Sequence, residues 1–171
     1  MIRLVRTPLL GCLLALAAAC AGPRATRSSS LVGKCVDVTA RDLDGHQVHA
    51  SRSGAKVAVV DFWATWCEPC REQLRVLGEL ATEYSPLGVE MYAVSFDEDR
   101  AAVEEFLART PLSFPVLWDK GGASLAEKLE VTRLPTTVVF DRAGVVRAVH
   151  LGFDPSERGE IVRELRQLLA E

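Results

Sequence analysis

The chain has 171 residues, with 20 basic and 23 acidic side chains for a net charge of −3. That length fits one ordinary domain with a short leader. The mild acidity, with no basic run in the body of the chain, argues against a nucleic-acid partner.

Residues 1–19 read as an export signal rather than as part of the fold. Arg3 and Arg6 form a positive start, and Leu9 to Ala19 is apolar apart from Cys12. That run falls short of the roughly 20 apolar residues of a membrane span. Its end, Leu16-Ala-Ala-Ala-Cys20, resembles a bacterial lipoprotein cleavage box, which makes Cys20 the candidate lipidation site. The alternative is an ordinary secretory signal cut nearby. Both imply an extracytoplasmic compartment, where protein disulfides persist. Without residues 1–19, 18 basic and 23 acidic residues remain, a net charge of −5. Residues 20–33 read as a flexible tether, since Ala21 to Ser30 lacks apolar periodicity. The domain is expected over 34–171.

Val36 to Ala40 and Gln47 to Ala50 alternate around Asp42-Leu-Asp-Gly45, the pattern of a β-hairpin. His46 and His49 are expected to face solvent, with no acidic partner evident in the sequence. Cys35 is left over once the other cysteines are assigned, and reads as a small buried residue more readily than as a further exchange thiol.

Val57 to Trp63 is a β-branched and aromatic run, expected to be a buried strand. A helix follows, with Leu74, Leu77 and Leu80 on one face and Arg71, Glu72, Arg75 and Glu79 on the other. At the junction stand Cys67 and Cys70, three apart, so that one helical turn places both sulfurs on one side. A strand feeding a helix whose first turn holds Cys-x-x-Cys is the form of a thiol-disulfide redox site. The attacking species is a thiolate, and a cysteine of pKa about 8.5 is mostly protonated at neutral pH. A helix N-terminus favours the anion at Cys67, while Cys70, deeper, suits the resolving role. Pro69 fits an early helical position, and Glu68 beside the thiolate can tune it in either direction. Zinc would need two further ligands, and Cys12, Cys20, Cys35, His46, His49 and His150 offer no such spacing. No metal and no cofactor are expected. A purely structural bridge leaves Trp66 and Pro69 unexplained. Asp61 interrupts the apolar strand; buried and unpaired it would be driven up in pKa, as a general base near neutrality requires.

Val89 to Phe96 reads as a second buried strand. The acids 97–99 read as a solvated helix entry, and Ala101 to Arg109 as a helix ended by Pro111. Phe114 to Asp119 is a short strand and Ser124 to Leu129 a further helix. Pro135 stands at the start of a strand, Thr137 to Phe140, where it removes no central ladder bond. A turn at 141–144 leads to its antiparallel mate, Val145 to Leu151, on which His150 reads as structural. A final helix from Asp154 turns Ile161, Leu165, Leu168 and Leu169 inward.

Asp61-Phe-Trp-Ala-Thr-Trp-Cys-Glu-Pro-Cys70 resembles the active-site segment of thioredoxin-fold thiol-disulfide oxidoreductases, most closely the membrane-tethered TlpA/ResA-like branch, and the likeness covers about 34–170. It implies an α/β thioredoxin fold: a central mixed β-sheet flanked by helices, an N-terminal β-hairpin and a central strand-helix insertion. It implies a cis Pro135 beside the cysteine pair, with Leu134 and Pro135 offering backbone to substrate. It also implies that Asp61 moves the resolving thiol's proton. Cys67, Cys70 and Asp61 are then the catalytic candidates, with Trp66, Glu68 and Pro69 as redox-tuning neighbours. The implied partners are protein disulfides, a membrane electron donor of the thiol-disulfide type, and the membrane itself through a lipid anchor. Apocytochrome c is one candidate substrate. Reductants of that protein commonly carry a Glu three residues after the second Cys and a Pro two further on; here those positions hold Gln73 and Arg75. A peroxiredoxin-like peroxidase would need Pro and Thr seven and three residues before Cys67, where Val60 and Ala64 stand. A lipoprotein binding module with a static bridge is the non-enzymatic alternative.

Overall fold

A computed structural model describes residues 29–171. The expected signal segment and Cys20 lie outside them. Seven strands form one sheet: β1 (Thr39–Asp42), β2 (Gln47–His49), β3 (Val57–Trp63), β4 (Val89–Ser95), β5 (Val116–Trp118), β6 (Thr136–Asp141) and β7 (Val146–Leu151). Their order is β2-β1-β5-β4-β3-β6-β7. β3 and β4 run parallel, as do β4 and β5, while β6, β7 and the β1–β2 hairpin pair antiparallel. The helix α1 (Glu68–Tyr84) makes the first parallel crossover and α2 (Arg100–Arg109) the second; α3 (Glu157–Leu169) ends the chain. This is the expected mixed α/β architecture.

Every residue of β3 is buried, because the sheet is covered on both faces. Val57, Val59 and Trp63 join Leu74, Leu77 and Leu80 of α1 and Ile161, Leu165 and Leu168 of α3 in one core. Ala58, Val60 and Phe62, on the opposite face, join a second core with Leu31, Val36, Val38, Leu125 and Leu129. The packed part of the chain thus takes in residues expected in the tether. Leu31 is buried, and the Gly33 N–H donates to the Val146 carbonyl at 2.8 Å.

One expected element is absent. Ser124 to Leu129 forms turns, preceded by a short 3₁₀ turn at Lys120–Gly122, rather than a helix. Gly121 and Gly122 carry φ of 58° and 73°, which α-helical backbone does not allow. Asp119 accepts the N–H groups of Ser124 and Leu125 at the start of the segment. At its end the Val131 N–H donates to the Ala126 carbonyl, with Glu130 at φ 52°, the closure of a Schellman motif. The apolar spacing that suggested a helix does place Leu125 and Leu129 in the core.

Candidate active site

The site forms where β3 hands the chain to α1. Cys67 is the N-cap of α1 in extended conformation, so its sulfur stands at the positive end of the helix, and Pro69 falls in the first turn. Cys67 and Cys70 are joined as a disulfide with Cα atoms 5.3 Å apart. Cys67 is 6% exposed and Cys70 fully buried. An incoming thiol or thiolate therefore meets Cys67 first. Trp66 is 71% exposed, a large apolar surface beside the accessible sulfur. Glu68, also exposed, is 3.1 Å from Arg71.

The Leu134–Pro135 peptide is cis, as expected. Pro135 immediately precedes β6, whose Thr136 lies opposite Phe62 near the end of β3. Leu134 packs against the core cluster that contains Cys67 and Cys70.

Asp61 is fully buried on the sheet face of Val59 and Trp63. Its Oδ1 accepts from the Thr137 hydroxyl at 2.7 Å, and the Gln73 amide donates to that hydroxyl at 2.8 Å. Gln73 lies one turn beyond Cys70, so two hydrogen bonds tie Asp61 to the helix that carries Cys70. Burial drives the Asp61 carboxyl well above its usual range; the Thr137 hydrogen bond opposes this, and the charge of Glu157 adds to it. Oδ2 of Asp61 has no partner among the described residues. The arrangement supplies a carboxyl that holds its proton more tightly than an exposed one does.

Four features were not foreseen. Asp97 is buried at 3% exposure rather than solvated. Its carboxylate accepts from the Thr65 N–H at 2.9 Å, from the Thr65 hydroxyl at 2.6 Å and from the Ser95 hydroxyl at 2.8 Å. Asp97 thereby clamps the loop leading to Trp66 and Cys67. The reason lies in the sheet: β3 and β4 are parallel neighbours, with Trp63 opposite Ser95, so the loops leaving both strands share one sheet edge. Of the neighbouring acids, Asp99 does cap α2, accepting from the Ala101 N–H at 2.9 Å. Second, His46 has an acidic partner after all, Asp42 across the hairpin turn at 3.1 Å. Third, His150 is buried among three glutamates of α3. Cys35 is an exposed free thiol 3.3 Å from the Arg52 guanidinium, not a buried residue.

Residues 27–169 match the Redoxin family. The chain is 34% identical over 132 residues to the thiol-disulfide oxidoreductase ResA of Geobacillus kaustophilus strain HTA426, covering 77% of this chain and 74% of that protein. Among solved structures, a putative thiol:disulfide interchange protein DsbE from Chlorobium tepidum superposes with a TM-score of 0.75 at 28% identity, over 83% of this chain and 99% of the other. The pneumococcal exposed lipoprotein thioredoxin from Streptococcus pneumoniae strain TIGR4 gives a TM-score of 0.66 at 25% identity, over 77% and 99%.

Proposed function

The chain belongs to the Redoxin family and is a thiol-disulfide oxidoreductase of the thioredoxin fold, and from that premise we propose that it reduces protein disulfides outside the cytoplasm through Cys67 and Cys70. In the reduced enzyme the Cys67 thiolate, favoured at the N-terminus of α1, attacks one sulfur of a substrate disulfide. A mixed disulfide forms and the substrate's other sulfur leaves as a thiolate. Cys70 then gives its proton to Asp61 and attacks Cys67, which releases the second substrate sulfur and restores the Cys67–Cys70 bond. Two electrons pass to the substrate, and a dithiol donor returns them. Leu134 and Pro135 offer backbone to the substrate chain and Trp66 an apolar surface; Glu68 and Pro69 tune the pair.

The observation that carries this reading is the asymmetry of the pair: the helix-capping sulfur is accessible, and the second is sealed in the core near a buried carboxyl whose pKa burial raises. The reduced chain should cleave the interchain disulfides of insulin with dithiothreitol as electron source. Cys67→Ser should abolish turnover, and Cys70→Ser should accumulate a covalent mixed disulfide through Cys67. A chain whose bridge resists dithiothreitol and turns nothing over would be the binding module instead.

The signal-like residues 1–19, with Cys20 as lipidation site and 20–33 as tether, support export and a lipid anchor. A structural relative that is itself an exposed lipoprotein supports the same reading. Among the described residues no helix is long and apolar enough to cross a membrane. The electron donor would then be a membrane thiol-disulfide protein. Gln73 and Arg75 favour a broader disulfide substrate range over dedicated reduction of apocytochrome c. Metabolic labelling with a palmitate analogue, lost in Cys20→Ser, tests the anchor.

A further inference from the structure

A second group of ionisable side chains lies on the same sheet face as Asp61. Asp61 pairs in register with Thr137 on β6, and Thr137 with His150 on β7. The three side chains therefore form one row across the sheet, leading from the central strand to its outer edge. His150 is 5% exposed. Its Nε2 lies 2.9 Å from Glu164 Oε2, and its Nδ1 lies 3.7 Å from Glu157 Oε1 and 4.0 Å from Glu160 Oε2. Glu157 is as buried as His150, while the side chains of Glu164 and Glu160 are 29% and 44% exposed. Both ring nitrogens thus face a carboxylate, the inner one buried and the outer one wet.

Burying a histidine and a carboxylate is costly, and apolar packing would serve stability at least as well. Here the cost is met where the ionisable groups connect a sealed carboxyl to the surface. Asp61 is fully buried with Oδ2 unpartnered among the described residues, and it responds to the charge of Glu157.

We propose that Glu157, His150 and Glu164 form the route by which protons pass between buried Asp61 and solvent at the β7–α3 edge. The proposal rests on the thiol cycle above, and on Asp61 as the acceptor of the Cys70 proton. When Cys70 attacks, the Cys67–substrate bond breaks, the Cys67–Cys70 bond forms and the substrate sulfur leaves as a thiolate. To take the Cys70 proton, Asp61 must first shed the one it holds. Glu157 takes that proton and passes it to Nδ1 of His150, and Nε2 releases one to Glu164 and water. One proton leaves per disulfide closed, and no electron moves along the route.

The groups facing His150 are Glu157, Glu160 and Glu164 from α3, Thr137 from β6 and, one strand further, Asp61 from β3. Gln73 of α1, at the Asp61 end, is uncharged. Around Glu157 stand Asp154 and Glu160 as well. Burial opposes the imidazolium of His150, yet Glu164 first, then Glu157 and Glu160, outweigh it and raise its pKa. Burial raises Glu157, with His150 partly offsetting it. The inner pair thus joins a histidine whose pKa its glutamates raise to a glutamate whose pKa burial raises.

The reduced full-length chain mixed with 5,5′-dithiobis(2-nitrobenzoate) separates the steps. Attack by Cys67 releases one thionitrobenzoate and resolution by Cys70 releases a second. His150→Gln and Glu157→Gln should slow the second release by about 10- to 100-fold, at the modest end for a lost proton-transfer group, and flatten its pH profile between pH 6 and 9. The first release should be unchanged. Glu164→Gln, at a side chain already 29% exposed, should do the same more mildly, and imidazole should restore the second phase in His150→Ala. Variants with wild-type second phases overturn the relay alone. Equal slowing of both phases without imidazole rescue overturns it in favour of a structural role. A wild-type chain with no second release overturns the thiol cycle and the relay with it.

Discussion

At the scale of single residues, the site depends on polar groups that the core has to satisfy. Burial raises the pKa of Asp61, which favours its neutral form, and its Oδ1 accepts one hydrogen bond. Its raised pKa means that the native state binds this proton more tightly than the unfolded chain does. Its contribution to stability is therefore complete below the ordinary carboxylate pKa of about 3.9 and declines as pH rises toward the folded value. Asp61→Asn removes that dependence. Urea titrations at pH 4 and pH 8 should show a smaller stability difference for the variant than for the wild type, while resolution by Cys70 slows by about 100-fold or more. Asp97 acts through Thr65 on the loop that carries Trp66 and Cys67. Asp97→Ala leaves the Thr65 N–H and the Ser95 hydroxyl without their acceptor. It should cost about 1–3 kcal/mol in urea unfolding and shift the potential of the cysteine pair, and Asp97→Asn should recover part of both. Thr137 was invisible as a site residue because a Thr in a strand looks ordinary, and Gln73 stood out only against the Glu of apocytochrome c reductants. The pairing of β3 with β6 sets Thr137 beside Asp61, and α1 brings Gln73 to its hydroxyl.

At the scale of elements, local pattern determined most of what formed. The β-branched run of β3, the amphipathic spacing of α1 and the glycine turn between β1 and β2 each carry their own instruction, and each appears as expected. The segment 124–129 shows the limit. Its apolar spacing is helical, but paired glycines with positive φ precede it and the left-handed Glu130 closes it, so the turns never propagate. Glu130 takes the backbone position that glycine adopts without steric cost. Glu130→Gly should raise stability by about 0.5–1 kcal/mol, seen as a higher urea midpoint with an unchanged slope. The contact of β7 with α3 should be pH-sensitive. His150 has a raised pKa, so its stabilising effect is present below the ordinary histidine value of about 6.5 and fades as pH rises through the folded value. Hydrogen exchange in α3, corrected for intrinsic rates, should show protection falling across that interval in the wild type and not in His150→Gln.

At the scale of the whole molecule, two cores on either side of one sheet fix a reactive pair at the point where β3 meets α1. The cysteine motif, the proline before β6 and the acid in β3 were legible because each breaks an otherwise regular pattern. Asp97 and the His150 cluster were not, since their meaning depends on parallel loops and on a packed helix far apart in sequence. The most direct test of the account is the equilibrium reduction potential of the Cys67–Cys70 pair, titrated against glutathione or dithiothreitol. A value near or below the roughly −270 mV of thioredoxin, that of a reductant, is expected. A value near the roughly −120 mV of a strong oxidant would reverse the direction of electron flow. The absence of any titratable transition would contradict the redox cycle itself.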